Sequence, residues 1–219
     1  MLELDFSKQF DYENNFYLTA PIDRISKFVT HLDLFRKVSG IAGDIVECGV
    51  FKGVSLSRLI KFRDLLENPL SKKIIAFDTF GEFPEAQFSL DVKKREQFIK
   101  EAGSKSIGKG QLISLLQKLG IYQNIELIEG NILQTVPEYK INNPHLKISL
   151  LHIDVDLHEA TRTCLEELYG LVTRGGIVIL DDYGAFAGAN NAIDDFFAGK
   201  KIKIKKLPYS NAISFMEVE

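Results

Sequence analysis

The feature that most constrains this chain is a regular alternation of short, almost entirely apolar segments with longer amphipathic ones. The short segments have the length of buried strands, and the longer ones repeat apolar residues at steps of three and four, as one face of a helix does. This pattern predicts an α/β fold with an open parallel sheet that helices cover on both faces. The predicted strands are residues 45–47, 73–78, 125–129, 148–154 and 177–180, and the predicted helices are residues 22–38, 55–66, 111–119 and 157–172. Residues 202–207 and 212–218 resemble two strands joined by a turn, so we expect them to pair antiparallel at the end of the sheet.

One long segment between the second and third predicted strands breaks the alternation. Residues 81–110 have weak periodicity and many charges, which favours a lid over the carboxyl ends of the strands rather than a disordered loop. We therefore expect a single domain over residues 1–219. It consists of an N-terminal helical cap at 1–40 and a core at 41–219 that carries the lid.

The composition excludes several classes of protein. Hydrophobic residues make up 45% of the 219 residues, which is too many for a disordered chain. The formal net charge of -3 gives no reason to expect nucleic acid or membrane as a partner. Cys48 and Cys164 are too few for a disulfide framework and lack the spacing of a zinc site. No apolar run is long enough to span a membrane, and the first residues lack the apolar core of a secretory signal, so we expect a cytoplasmic protein.

A glycine-containing turn follows the first predicted strand. Glu47 ends the strand, Gly49 and Gly53 lie in the turn, and an apolar helix follows. Such a unit brings the backbone close to a ligand and directs a helix N-terminus at it. The turn lacks the three-glycine fingerprint of dinucleotide sites, and a carboxylate there would repel a pyrophosphate. Glu47 is therefore expected either to meet a positively charged ligand group or to form a salt bridge in an ordinary turn.

Polar residues also follow the second and third predicted strands. Asp78 lies where doubly wound nucleotide-binding sheets bind ribose, and a carboxylate can accept hydrogen bonds from two vicinal hydroxyls. The alternative is that Asp78 caps a turn. Asn131 either bonds an adenine edge or shapes the turn after its strand.

Three acids follow the last two core strands. Asp154 ends one strand, and Asp181 and Asp182 follow the next, with a single helix between them. A right-handed crossover would bring these acids together at one edge of the sheet. Clustered carboxylates raise one another's pKa unless a cation neutralises them, and oxygen ligands suit Mg²⁺, with Ca²⁺ or Mn²⁺ as alternatives. The alternative is that some of these acids cap helices or pair with Lys and Arg.

The histidines carry less information. His158 follows the acids closely and is either a proton acceptor near the substrate or a solvated residue of a first helical turn. His31, His145 and His152 are interpreted as structural or surface residues.

Taken together, four segments resemble those of a known family: VECGVFKG, FDTFGEFP, IDVDLHEAT and GGIVILDDYG. They are similar to segments of the macrocin O-methyltransferase family of sugar methyltransferases that use S-adenosylmethionine. The resemblance runs from about residue 12 to residue 200. It implies the class I methyltransferase fold, a Rossmann-like open sheet of seven strands with the last antiparallel and helices on both faces.

The resemblance also implies a cofactor site. Glu47 and Gly49 would lie against the methionine part of S-adenosylmethionine, Asp78 would hold the ribose hydroxyls, and Asn131 would lie near the adenine. The remaining residues predicted for this site are Phe51, Gly53, Ser55, Thr79 and Asp154.

Finally, the resemblance implies a metal-dependent reaction. Its divalent ion, expected to be Mg²⁺, would be bound by Asp154, Asp181 and Asp182, and Asp181 or His158 would act as the base. The expected activity is methyl transfer to a hydroxyl of a deoxysugar, nucleotide-linked sugar or glycoside by a homodimer. Relatives tend to carry Gly and Tyr in place of Val155 and His158, a difference that concerns the substrate pocket. The alternatives are a catechol-type phenol methyltransferase, an NAD-dependent nucleotide-sugar oxidoreductase and a non-catalytic binding protein.

Overall fold

Six strands form a single sheet in the computed structural model, which describes residues 4–219. The first three residues of the predicted cap therefore lie outside the described residues. The strand order is β3-β2-β1-β4-β5-β6, and every neighbouring pair is parallel except β5 and β6. The strands are β1 Asp44–Cys48, β2 Ile74–Asp78, β3 Ile125–Glu129, β4 Ile148–Ile153, β5 Val172–Leu180 and β6 Ser214–Glu217. The predicted open α/β sheet with an antiparallel last strand is confirmed.

Helices connect the parallel strands and precede the sheet. They are α1 Gln9–Thr19, α2 Ile22–Val38, α3 Val54–Leu66, α4 Val92–Ala102, α5 Lys109–Lys118, α6 Ile132–Asn142, α7 His158–Leu168 and α8 Ala187–Phe197. Short 3₁₀ helices cover Phe6–Lys8 and Tyr169–Leu171. Over residues 4–219, none of the helices has both the length and the apolar character needed to cross a bilayer.

The alternation of side chains along each strand divides the core into two layers. Ile45 of β1 packs with α2, α3 and α5 on one face, whereas Val46 packs with α6, α7 and α8 on the other. Leu150 and Leu151 of β4 divide in the same way. Both faces of the central strands are therefore buried, which explains why the sequence of these strands is almost continuously apolar.

Arg63 joins α3 to the edge where two strands begin. Its side chain is completely buried, and its guanidinium donates to the carbonyl oxygens of Lys72, Gln123 and Asn124 and to the carboxylate of Asp64. These bonds fix the loops that precede β2 and β3.

The prediction of a seventh strand at residues 202–207 is wrong. Residues 202–207 are extended, with alternating exposure, but they form only one antiparallel bridge, between Lys205 and Phe215. Ile202 and Ile204 still pack against the core layer of α6, α7 and α8. The side-chain pattern of a strand is thus present without its hydrogen-bond ladder.

The segment 81–110 is more regular than its sequence suggests. It contains α4 and is anchored by Asp91, whose side chain is completely buried. One carboxylate oxygen of Asp91 accepts from the backbone N–H of Gly188, 2.8 Å away, and the other accepts from that of His158, 3.2 Å away. The segment is therefore attached to the N-terminal ends of α7 and α8.

Much of the apolar face of α2 packs within the chain. Leu34, Phe35 and Val38 are completely buried against β-strands and α3 of the same chain. Exposed apolar side chains near the N-terminus belong to α1 and to the start of α2, where Phe10, Leu18 and Ile22 are 80%, 85% and 83% exposed.

Candidate functional site

The carboxyl ends of the central strands meet beside a large cavity. The strand order changes direction between β1 and β4, which is where open α/β sheets bind ligands. The cavity has a volume of about 970 Å³, at the upper end of the range for ligand pockets. The predicted site residues that line it are Gly49, Phe51, Ser55, Asp78, Thr79, Asn131, Asp154, Asp181 and Asp182.

The glycine-containing turn allows two strand ends to approach each other. Gly49 has a φ of +93°, and a Cβ there would lie 1.8 Å from the carbonyl oxygen of Asp154. Only glycine therefore fits between the ends of β1 and β4. Gly53 is the N-cap of α3 in a left-handed conformation, and it is not among the described residues that line the cavity.

Asp78 fixes this turn with its carboxylate. Its Oδ2 accepts hydrogen bonds from the backbone N–H groups of Val50 and Phe51, at 2.8 and 2.9 Å, and its Oδ1 accepts one from Phe80 at 2.7 Å. The hydroxyl Oγ1 of Thr79 also lies 3.4 Å from Oδ1 of Asp78, so most of the roughly four acceptor positions of this carboxylate are used within the protein. Asp78 thus caps a turn, as one of its two interpretations holds, and it also lines the cavity.

Two further predicted cofactor residues make contacts within the protein. Glu47 is completely buried, its Oε1 lies 3.0 Å from Nδ1 of His152, and it is not one of the described cavity-lining residues. This is the salt-bridge interpretation of Glu47. Asn131 caps α6 by accepting from the backbone N–H of Leu133 at 3.0 Å, and it also lines the cavity.

Asp154, Asp156 and Asp182 form the first of two polar groups at the cavity wall. One carboxylate oxygen from each lies within 4.8 Å of the others, and Oδ2 of Asp182 accepts from the backbone N–H of Asp156 at 2.8 Å. Burial, together with the neighbouring Asp154, raises the pKa of Asp156 to about 7. Burial and Asp156 likewise hold the pKa of Asp182 well above its usual range. Such a group is unfavourable when fully ionised without a cation.

Asp181 belongs to the second group. Its Oδ2 lies 2.6 Å from the ammonium Nζ of Lys27 in α2, and its Oδ1 lies 3.5 Å from Nε2 of His152 and 3.8 Å from Nε2 of His31. The Lys27 ammonium also lies 3.6 Å from Asp154. Burial alone would raise the pKa of Asp181, but its neighbours outweigh this effect and hold it well below the usual range. Asp181 is therefore a stable carboxylate and a weak base.

The two histidines of this group differ in charge. Burial disfavours the imidazolium form of both, and it lowers the pKa of His31 to about 4, so His31 is neutral. For His152 the carboxylates of Asp181 and Glu47 overcome burial and raise the pKa to about 10. His152 is thus a buried cation between two carboxylates, and it holds Asp181 in place.

The donor atoms decide which group fits a divalent cation of the Mg²⁺ type. The group of Asp154, Asp156 and Asp182 offers only carboxylate oxygens and carries excess negative charge, as such an ion requires. The group around Asp181 already holds two cations, Lys27 and His152. The structure therefore joins two of the three predicted metal ligands to Asp156 and directs Asp181 to Lys27.

His158 lies away from these groups. Its ring stacks on Phe88 with centroids 4.9 Å apart, and it contributes to a second, smaller cavity of about 270 Å³ with Arg162 and Asp195. It is not among the described residues that line the large cavity.

Four residues of the site were not predicted from the sequence: Lys27, His31, His152 and Asp156. Two signals were available for them. Glu47 and His152 are polar residues within strands that are otherwise apolar, and they face each other in the register of β1 and β4. Lys27 and His31 are four residues apart and so share one face of α2.

Comparison with known proteins agrees with this architecture. The family model described as macrocin O-methyltransferase (TylF) matches residues 20–208. A tetracenomycin rhamnosyl 4'-O-methyltransferase of Streptomyces olivaceus is 27% identical over 161 residues, which cover 72% of this chain and 59% of that protein. Demethyldecarbamoylnovobiocin O-methyltransferase of Streptomyces niveus is 22% identical over 165 residues, covering 73% and 60%. The chain therefore spans about three fifths of the length of these two relatives.

A solved structure extends the similarity to the complete fold. The calicheamicin methyltransferase CalS11 superposes with a TM-score of 0.78 at 25% identity, over 99% of this chain and 86% of that one. The sheet and its helices thus have the class I methyltransferase fold. Because the family model matches most of the sequence, this chain belongs to the macrocin O-methyltransferase family.

Proposed function

We propose that this chain transfers a methyl group from S-adenosylmethionine to a sugar hydroxyl and that a divalent cation assists the reaction. The observation that carries the proposal is the cavity at the change in strand order, where the Gly49 turn and an oxygen-only acid group share one wall. Family membership supports it, since the two curated relatives carry names of sugar and antibiotic O-methyltransferases.

The cofactor is proposed to lie along the ends of β1, β2 and β3. Ser55 at the start of α3 and the carboxylate of Asp78 line the cavity and are proposed to bind the cofactor by hydrogen bonds, and Asn131 is proposed to lie at its adenine end. When bound, S-adenosylmethionine supplies the activated methyl group, and the cation lowers the pKa of a coordinated hydroxyl. Asp154 and Asp182 are proposed to hold the cation.

Asp156 is the proposed proton acceptor. Its carboxylate lines the cavity beside Asp154 and Asp182, whereas Asp181 is paired with Lys27 and His158 lies in a different cavity. In this proposal Asp156 takes the proton of the acceptor hydroxyl at a carboxylate oxygen. Asp181 then keeps the negative charge that positions Lys27.

The segment 81–110 is proposed to cover the reacting groups. Phe83 and Phe98 line the cavity, and Phe98 contacts Phe51 with ring centroids 5.4 Å apart. Asp91 attaches this segment to α7 and α8. The segment is therefore proposed to form a wall of the cavity that excludes water from the methyl group. The homodimer and the cytoplasmic location stay predictions, and light scattering at several protein concentrations tests the first of them.

Calorimetry and activity together test this function. We expect wild-type protein to bind S-adenosylhomocysteine, and Asp156→Asn to keep that binding while losing methyl transfer to a panel of sugar acceptors with Mg²⁺. Asp195→Asn, an exposed acid of α8, is the matched control and should retain both. Absence of cofactor binding by folded wild-type protein would refute the proposal. Turnover of catechols alone would redirect it to phenolic acceptors.

A further inference from the structure

Two buried histidines and one carboxylate meet where α2 packs on the ends of β4 and β5. His31 of α2, His152 of β4 and Asp181, which follows β5, each place one nitrogen or oxygen atom within 4.8 Å of the others. Nε2 of His152 lies 3.5 Å from Oδ1 of Asp181, and Nε2 of His31 lies 3.8 Å from the same oxygen. His31 is 1% exposed, and His152 is completely buried.

The atoms that face one another in this histidine–aspartate group lack hydrogen-bond partners. Within residues 4–219, this holds for Nε2 of His31, Nε2 of His152 and Oδ1 of Asp181, and also for Nδ1 of His31. Their separations allow electrostatic attraction but exceed the ordinary range of N–H···O hydrogen bonds. Buried polar atoms without partners are unfavourable and uncommon. Three of them in one place therefore indicate a common partner that binds all three.

The distances and the surroundings fit a tetrahedral metal ion. Nitrogen and oxygen ligands about 2.0–2.2 Å from such an ion lie roughly 3.3 Å from one another, so the two separations to Asp181 would shorten by roughly half an ångström or less. The other ring nitrogen of His152, Nδ1, lies 3.0 Å from Oε1 of the buried Glu47. A carboxylate in this position fixes the tautomer and the orientation of a histidine that binds metal through its second nitrogen.

The donor atoms and the charges indicate which ion is suitable. Two imidazole nitrogens and one carboxylate oxygen suit Zn²⁺ and neighbouring transition metals, whereas Mg²⁺ prefers oxygen ligands. Imidazole binds a metal in its neutral form, so the ion would replace the proton on Nε2 of His152. A divalent ion and the Lys27 ammonium would then balance the carboxylates of Glu47, Asp154 and Asp181. Because Asp181 lines the large cavity, an ion can reach the group from that side.

We propose that His31, His152 and Asp181 bind a divalent transition-metal ion of the Zn²⁺ type, separate from the cation of the oxygen-only acid group. The ion joins α2 to the ends of β4 and β5, so its role is to hold the helix on the sheet, and no step of methyl transfer is assigned to it. This inference does not depend on the proposed function. The competing occupant is a buried water molecule, which can bond the same three atoms.

The experiment measures metal binding by tag-free, chelator-treated protein in excess MgCl₂, so that Mg²⁺ competes for the oxygen-only group. Calorimetry gives the stoichiometry and affinity for Zn²⁺, and the visible spectrum of added Co²⁺ reports the coordination. His31→Leu removes one ligand without burying a new polar group, and Glu47→Gln removes the charge behind His152. Asp156→Asn alters only the oxygen-only group, and His145→Leu removes an exposed histidine as the matched control. Circular dichroism establishes folding, and His31→Gln replaces His31→Leu if the latter is unfolded.

We expect one Zn²⁺ per wild-type chain and a Co²⁺ spectrum typical of four-coordinate nitrogen and oxygen ligation. His31→Leu should weaken Zn²⁺ binding about hundredfold or more, and Glu47→Gln about tenfold to hundredfold. Asp156→Asn and His145→Leu should bind Zn²⁺ as wild type does. Zn²⁺ should raise the melting temperature of wild type but not that of His31→Leu. Without metal, His31→Leu should melt at or above the wild-type temperature, because an unpaired buried imidazole is lost.

Two results would overturn the inference. One is the absence of stoichiometric Zn²⁺ binding by folded wild-type protein, which would leave water as the partner of the three atoms. The other is Zn²⁺ binding that His31→Leu retains and Asp156→Asn loses, which would place the ion in the oxygen-only group. Binding of S-adenosylhomocysteine tests the proposed function separately, so either proposal can fail while the other stands.

Discussion

Replacing Lys27 with methionine should destabilise this protein far more than an ordinary surface substitution. The ammonium lies 2.6 Å from Asp181 and 3.6 Å from Asp154. At an effective dielectric constant of about 20, these distances correspond to gross attractions of roughly 6 and 5 kcal/mol. Desolvation of the three charges cancels much of this, but removing one partner of a buried pair leaves the other charge uncompensated and costs about 3–5 kcal/mol.

The lower end of that range applies, because the Lys27 and Asp154 side chains are 23% and 26% exposed. We therefore expect Lys27→Met to reduce the free energy of unfolding by about 3 kcal/mol, which lowers the melting temperature of a chain of this size by about 6–12 °C. Lys37→Met is the matched control. It lies in the same helix and pairs with Glu217 at 2.8 Å, but it is 46% exposed, so its loss should cost less than about 1 kcal/mol.

Differential scanning calorimetry in chelator-treated buffer is the assay, followed by titration with MgCl₂. A cation whose free concentration is one hundred times its dissociation constant stabilises the folded state by about 2.7 kcal/mol. Mg²⁺ should therefore recover more stability in Lys27→Met than in wild type, because the acids of the variant have lost their internal cation. If both lysine variants melt at the same temperature, Lys27 does not balance these acids and the reasoning fails. Equal shifts with Mg²⁺ in wild type and Lys27→Met would refute its second half.

Three more substitutions test the fold. Gly49→Ala should abolish folding or displace the end of β4, because its Cβ would lie 1.8 Å from a backbone oxygen. Gly110→Ala in α5 is the control: its Cβ would meet nothing within 4 Å, so it should be neutral or stabilise the fold by up to about 1 kcal/mol. Soluble yield and melting temperature distinguish the two variants. Arg63→Met should cost about 3 kcal/mol or more in urea unfolding, since three backbone carbonyl oxygens and the Asp64 carboxylate lose a completely buried donor. Arg162→Met, which removes an exposed pair with Glu166, should cost less than about 1 kcal/mol, and equal losses for the two arginines would contradict the burial argument.

The elements that could be predicted from the sequence are those that local patterns specify. β4 and β5 are apolar where they cross the buried core, and each is followed by an acid, Asp154 or Asp181, at the edge of the sheet. The change from apolar to acidic residues therefore predicts where each strand ends. By contrast, α6 was missed because Pro137 interrupts its pattern, although the surrounding helix forms around it. The lysine-rich segment 202–207 shows why a pattern alone is insufficient. Its alternation correctly predicts which side chains face the core, but a ladder also requires a partner strand in register over several residues.

The site residues that escaped prediction are those whose partners are distant in sequence. Lys27 and Asp181 are 154 positions apart. The spacing of Lys27 and His31 places them on one face of α2, but it does not show that an acid lies opposite that face. Asp156 was available in the same motif as Asp154. Its assignment depends on the left-handed backbone at φ 62°, which brings its carboxylate to the cavity wall. Predicting either residue requires knowing how α2 crosses the sheet and how the chain turns after β4.

The position of α2 makes the acid groups dependent on a helix outside the parallel core. Glu47, His152 and Asp181 each follow by two residues a core residue that packs in the layer of α2, namely Ile45, Leu150 and Ile179. These three polar side chains therefore lie on the face that α2 covers. His31 of α2 packs against His152 and Asp181, and the Lys27 ammonium balances the negative charge that remains on this group. A core without α2 would expose Asp181 and Asp154 as unbalanced acids. The helix therefore acts as part of the site as well as part of the fold, which is why a single lysine in it is expected to influence both stability and metal affinity.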